Sequence, residues 1–380
     1  MRKRFVVNHL EQASFLWAIA IATRWHPQNI YLCSFFVLKG VPMKSAYACF
    51  VGMALMGTLA LAQNTATNLT DQQGGVRRLE ITQRVSLKGT KGAIVLPPQC
   101  DQEGNVYTRF YHPGMELKEP VYKFTEQGQQ EAEYSLASDV GKGAGVESFA
   151  TGKDGNVYLL VSSKTGYYII TYAKNGVVEA KVRLAVKFQP FHFGVFDSGE
   201  FLVTGGDTAY GPQTFNIVTG LFNRSGALRK VIELPEDKPF VEAARRGDVR
   251  FAQSRDGGNL AVQRGQVTRG SDGNMYVVRW TDPARIYAIA PSGEVVHSFE
   301  VRPDWEGRRP DGAYSYDGRL ALEYAGTKDE PGHSMVKVVR LNGEDQASYD
   351  TSGRGGTLTC YTKMGFTFFR GDELLFAQLP

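Results

Sequence analysis

Cysteine is scarce in this 380-residue chain: there are four, with no Cys-x-x-Cys pair, and no two of the six histidines stand at the helical i, i+4 spacing. No linear zinc motif is therefore present. A Gly-x-Ser-x-Gly nucleophile elbow and a Walker phosphate loop are also missing, which removes two contexts that activate a serine or lysine. A dominant sign of charge is lacking too, once the chain is divided after Ala62. The first 62 residues take six of the 43 lysines and arginines and one of the 39 acids, leaving 37 basic against 38 acidic side chains. Nucleic-acid binding driven by bulk charge is excluded for that remainder.

What the chain does have is apolar content and turns. A 42% hydrophobic and 22% charged composition excludes disorder as a whole and supplies one large core or two modest ones. Its 42 glycines, about 11% against the roughly 7% usual in proteins, and its 12% aromatic share point to short apolar strands joined by many turns.

The first 62 residues read as a leader. Met43-Lys44 opens a stretch whose residues Ala46 to Leu61 carry no charge and which ends in Ala60-Leu61-Ala62. A short positive start, an apolar core too short for a comfortable bilayer span and small residues at the cleavage positions form a secretory signal over 43–62. Residues 1–42 precede it, with Arg2-Lys3-Arg4 and further apolar patches, so translation is read as starting at Met43; the alternative is a long leader or a membrane anchor. Residues 63–76, rich in Asn, Thr, Gln and Gly, read as a flexible spacer. The mature chain is then secreted or periplasmic, a monomer without a membrane span. Cys100 and Cys360 remain there as either a disulfide or two buried thiols.

From residue 77 on, one phrase recurs: Gly104-Asn105-Val106-Tyr107, Asp154-Gly155-Asn156-Val157-Tyr158 and Asp272-Gly273-Asn274-Met275-Tyr276. Weaker copies stand at Gly199, Gly318 and Gly371, and a second series of turn glycines follows at Gly128, Gly176, Gly226, Gly293 and Gly343. A unit of about 50 residues with two hairpins is a four-stranded antiparallel sheet, which cannot bury both faces alone. Stacking such sheets around an axis solves that problem, so the expected fold is an all-β, six-bladed β-propeller. The chain ends soon after Gly371. The strands missing from the sixth blade are expected from Arg78 to Lys88, where Leu79, Ile81, Val85 and Leu87 alternate with polar residues. Closure of this kind makes the first and last blades neighbours and favours a Cys100–Cys360 bridge. The four residues from Cys100 to Gly104, against eleven from Cys360 to Gly371, set the two sulfurs at different heights.

The Asp-Gly-Asn-Val-Tyr phrase with its later glycine turn resembles the NHL-type repeats of six-bladed propellers over residues 78–380. The resemblance implies a fold shared by binding modules, interaction platforms, lactonases and lyases; it implies no single activity. The interval from Gly199 to Gly273 is about 24 residues too long, which places an insertion near 234–258, and a second polar excursion runs over 327–333.

In such blades the loop after strand two opens at the end of the channel opposite the first turns. Reading on from each phrase brings Arg109, Tyr111, His112, Lys164, Asp207, Arg279, Trp280, Asp282, Glu323 and Tyr324 to that end, joined by His192 from a returning loop. Arginine forks with aromatic rings suit an anionic or sugar-like ligand. The expected function is an exported, noncatalytic propeller that binds a small molecule, glycan or protein partner there, with no cofactor. The alternative is a metal-assisted lactonase or lyase, with Asp207, Asp282 and Glu323 beside the histidines and calcium admitted only in that case. The signal reading makes one direct prediction: N-terminal sequencing of the exported protein finds Gln63 first, and a mature chain retaining residues before Met43 overturns it.

Overall fold

The computed structural model describes residues 75–87, 93–112, 118–136, 140, 143–207, 216–234, 265–281, 283–304, 310–324, 334–351, 353 and 355–379. The chain divides into Met1–Asp71 and Gln72–Pro380, and every described residue belongs to the second unit. The leader, the signal segment and the spacer up to residue 74 lie outside the described residues, as do most of the 234–258 insertion and the 327–333 excursion. No helix among the described residues is long and apolar enough to cross a membrane.

Among the described residues, twenty-five strands form six sheets around a ring. Two N-terminal strands, β1 (Val76–Arg78) and β2 (Glu80–Ser86), precede the first blade. Blade one is β3 (Ala93–Cys100), β4 (Val106–Tyr111), β5 (Val121–Phe124) and β6 (Gln130–Tyr134). Blade two is β7 (Gly145–Thr151), β8 (Val157–Ser163), β9 (Gly166–Tyr172) and β10 (Val178–Arg183). Blade three is β11 (Gln189–Val195), β12 (Phe201–Asp207), β13 (Asn216–Phe222) and β14 (Leu228–Ile232). Blade four is β15 (Gln266–Arg269), β16 (Met275–Arg279), β17 (Ala284–Ile289) and β18 (Val295–Val301). Blade five is β19 (Pro310–Tyr316), β20 (Arg319–Tyr324), β21 (Met335–Arg340) and β22 (Asp345–Asp350). The last blade holds β23 (Thr357–Thr362), β24 (Gly365–Arg370) and β25 (Glu373–Gln378), with β2 as its outermost strand.

Each blade's first strand lines the channel, and the hydrophobic core lies between blades. Six apolar clusters fill six interfaces, one of which joins Leu374 and Phe369 of the last blade to Val106 and Phe110 of the first. Side-chain alternation along a strand feeds the two faces: Leu320 and Leu322 pack toward blade four, and Ala321 between them packs toward blade six. Central strands such as β16 are buried on both faces, whereas the outer β18 alternates half-buried and exposed.

The repeated phrase has a physical account. In the first copy, the Asp101 carboxylate accepts hydrogen bonds from the Asn105 backbone N–H, the Asn105 amide and the Tyr107 hydroxyl, at 2.9, 2.8 and 3.0 Å. In blade four, Asp272 accepts the same three from Asn274 and Tyr276, at 3.1, 2.8 and 2.7 Å. Asp101 stands three residues before its glycine and Asp272 one residue before. The difference cancels because blades two and four have Gly152 and Gly270 at the earlier position, where a Cβ would lie 2.4 and 2.3 Å from the carboxylates of Asp154 and Asp272. Either position can deliver the carboxylate, and only one can hold it. The turn itself closes on a glycine in the left-handed region, φ 77° at Gly155 and 83° at Gly273.

Three expectations change at the closing blade. Gly371 lies between β24 and β25, strands two and three, and the blade's own first turn runs from Thr362 to Gly365. A single strand is therefore missing, and β2 supplies it, with Val85 opposite Leu374. The preceding strand, β1, instead pairs in parallel with β22 as a fifth strand of blade five. Measured from the true turn, Cys360 stands five residues before Gly365, nearly matching Cys100 before Gly104, so the sulfurs share one height. The structure joins Cys100 to Cys360 across 5.3 Å between Cα atoms, linking the inner strands of the first and last blades. The bond closes 260 residues of sequence, so replacing both cysteines with serine is expected to cost about 5 to 6 kcal/mol of unfolding free energy on chain-entropy grounds. Urea denaturation measures it, and an unchanged midpoint would remove the bridge from the stability account.

Candidate functional site

Five of the eleven sequence-predicted site residues sit between blades. Arg109 is buried on β4, donating from Nη1 to the Val146 carbonyl of blade two at 2.8 Å and from Nε to the Glu119 carbonyl. Burial pulls its pKa down to about 10. Arg279, buried on β16, donates to the hydroxyls of Thr204 and Thr219 in blade three. Glu323, buried on β20, accepts the Leu358 backbone N–H of blade six at 2.9 Å. These three charged groups thus serve three different interfaces and do not converge. Trp280 and Tyr324 pack in the cluster between blades four and five, where the Tyr324 hydroxyl donates to Val301 O.

The remaining members are scattered. Tyr111 is exposed at the end of β4, and His112 Nδ1 lies 2.9 Å from the buried Glu119 carboxylate. Lys164 is exposed in the β8–β9 turn, and His192 is buried on the channel-lining β11. The side chain of Asp207 and all of Asp282 lie outside the described residues. Among the described residues, no three His, Cys, Asp or Glu side chains are grouped to hold a metal ion.

A cavity opens at the opposite end of the channel, where the first turns are. It has a volume of about 330 Å³, and the ends of all six inner strands contribute to its wall. Tyr314 forms part of its floor: the ring is buried on β19, and its hydroxyl donates to Pro98 O of blade one at 3.1 Å, passing over blade six. Two glutamines on inner strands splice neighbouring blades. Gln99 donates to Phe149 O and accepts from Thr151 N, and Gln266 treats the backbone of Ala313 likewise. Each side-chain amide extends the sheet ladder from one blade to the next.

With these floor groups engaged by protein, the polar side chains that remain lie on the rim. It carries Lys153 and Lys174 on blade two, Glu103 on blade one, and Tyr316 and Asp317 on blade five. The Tyr316 ring stands edge-to-face against Tyr361 at 5.8 Å. Arg269, also in the wall, is held at 2.7 Å by Asp197, which Lys153 approaches at 3.5 Å. The sequence reading passed over these residues because it looked after strand two. The positions immediately before the first-turn glycines would have pointed to Glu103, Lys153, Tyr316 and Asp317, whereas Lys174 precedes the second-turn Gly176 and Arg269 ends an inner strand.

The fold and this geometry define a six-bladed β-propeller with a polar bowl at one mouth of its channel. No protein-family model matches the sequence, and no curated protein matches it. Solved structures do resemble the fold. Streptogramin B lyase shares 12% identity at a TM-score of 0.46, covering 80% of this chain and 100% of that one. Regucalcin, a calcium-binding protein from Agrobacterium tumefaciens, shares 14% at 0.47, covering 81% and 98%. PQQ-bound aldose sugar dehydrogenase from Streptomyces coelicolor shares 12% at 0.43, covering 79% and 97%. At these values nothing about activity follows.

Glu323 gives the interface between blades five and six a pH signature. Burial first, and Asp311 second, push its carboxyl well above the ordinary carboxylate range. The folded protein therefore holds this proton more tightly than the unfolded chain does. Its contribution is complete below the ordinary range and declines as pH rises toward the folded value. Glu323→Gln keeps an acceptor for Leu358 N and removes the titration. Denaturation midpoints from about pH 5 to about pH 9 should fall for the parent and flatten for the variant; parallel curves would contradict the assignment.

Proposed function

We propose that this chain is an exported, noncatalytic propeller that binds a small polar molecule or the end of a glycan in the bowl at the first-turn mouth. The observation that carries the reading is the bowl itself. Its volume of about 330 Å³ is at the small end of ligand sites, and its rim combines cations, carboxylates and a tyrosine face around a floor of engaged groups. Sugars fit that mixture: hydroxyls donate to carboxylates and accept from ammonium groups, while the ring's apolar face lies against an aromatic side chain. A purely apolar ligand would strand the rim charges away from water.

Export is supported by the signal-like segment over 43–62 and by the disulfide between Cys100 and Cys360, a bond that persists in oxidising compartments. The mature chain then works in the periplasm or outside the cell.

Thermal-shift measurements against a panel of neutral monosaccharides test the site, since a ligand that binds only the folded state raises the melting temperature. At least one sugar is expected to do so. The paired change Lys153→Ala and Asp317→Asn should remove the shift without lowering the unliganded melting temperature; asparagine is chosen because position 317 has φ 48°. A shift that survives the paired change rejects the bowl.

A further inference from the structure

The bowl does not end at its rim. A second cavity, about 660 Å³, runs between blades two and three, and Gly152, Lys153 and Val195 line both spaces. Its floor can be read from strand register. Tyr158 on β8 lies opposite Thr171 on β9, and Thr171 lies opposite Ala180 on β10. All three line the groove, so it follows one row of side chains outward across blade two, from the second strand to the outermost. The facing wall comes from the turns of blade three, with Phe196, Asp197 and Arg224.

We infer that the bowl and this groove together form one site for a linear, neutral oligosaccharide, its terminal unit in the bowl and its following units in the groove. The inference rests on the bowl reading above and adds to it the length and charge of the ligand. Length follows from the shared wall: Gly152, Lys153 and Val195 bound both cavities, so a chain leaving the bowl crosses them into the groove. Charge follows from the two cavities taken together: with Arg269 counted against Asp197, six carboxylates still outnumber the four cations Lys153, Lys174, Arg224 and Arg269, and a polyanionic chain would meet net repulsion. The carboxylates also retain acceptor capacity. Glu179 takes a bond from the Asn156 amide at 3.1 Å and Asp154 one from the Asn156 backbone, while a carboxylate can accept about four.

A peptide is the less suited occupant. Extended peptides draw their main-chain hydrogen bonds from an unpaired strand edge. The floor here is the face of paired strands, whose backbone groups already serve the ladder of blade two. What it offers is side-chain chemistry: the half-buried Tyr158 ring for a sugar face, a threonine, and acids for hydroxyls.

Calorimetry with α-1,4- and β-1,4-linked glucose chains of one to four units tests this, with galacturonate chains and a lysine-rich peptide for comparison. In a neutral series, affinity should rise about tenfold or more from one unit to four. Ala180→Trp, an exposed outer-strand position in the groove, should abolish the gain and leave binding of the single unit unchanged; Glu179→Ala should reduce the gain. Affinity that is flat with length, preference for galacturonate or the peptide, or a gain that survives Ala180→Trp overturns the inference. Single units that bind with no gain in length leave the bowl reading standing alone. Failure of every sugar to bind removes both.

Discussion

A four-stranded sheet with two apolar faces has no stable existence by itself, and every other feature of this molecule answers to that constraint. Each blade contributes to two clusters, one per face, so the six clusters form a closed series in which no blade is spare. The weak point of such a series is where the chain's two ends meet. Three links converge there: β2 completes the last blade, β1 ties the same segment to blade five, and the Cys100–Cys360 bond joins the inner strands on either side of the seam. Leu79, between the two N-terminal strands, donates its N–H to Asp350 O of blade five, and the chain then passes into the last blade as β2.

Ring packing also sets what polar groups can do. A charged side chain on a central strand has nowhere to go but an interface, and there it must find a partner. Arg109, Arg279 and Glu323 find carbonyls, hydroxyls and an N–H on neighbouring blades, while Gln99 and Gln266 extend the ladder itself. Such groups hold blades in register. Polar groups not drawn into an interface stand at the ends of inner strands and in the turns. The bowl and its radial groove belong to that second set.

Much of the architecture was legible because turns are local. A left-handed glycine and an Asp-Asn-Tyr hydrogen-bond set need only a few consecutive residues, so the phrase at Asp154 or Asp272 announces a hairpin without reference to anything distant. Phase was not local. Gly371 looks like the other first turns, yet it joins the next pair of strands, and only the pairing of β2 with β25 reveals that the last blade lacks one strand. The relative height of Cys100 and Cys360 depends on the same phase, since it is measured from Gly365 and not from Gly371. The site was less legible still, since a polar residue within an apolar strand has the same appearance whether its partner is a ligand or the Val146 carbonyl.

The strand-and-turn grammar, the number of blades and the N-terminal origin of the closing strand are written in local residue patterns, since each depends on short-range hydrogen bonding or on alternation with period two. Only the tertiary structure decided which cysteine heights coincide, which charges are interface pins, and which residues share a mouth. Lys153, Arg269 and Tyr316 are far apart in the chain and lie around one bowl, because closing the ring brings equivalent positions of different blades to the same height.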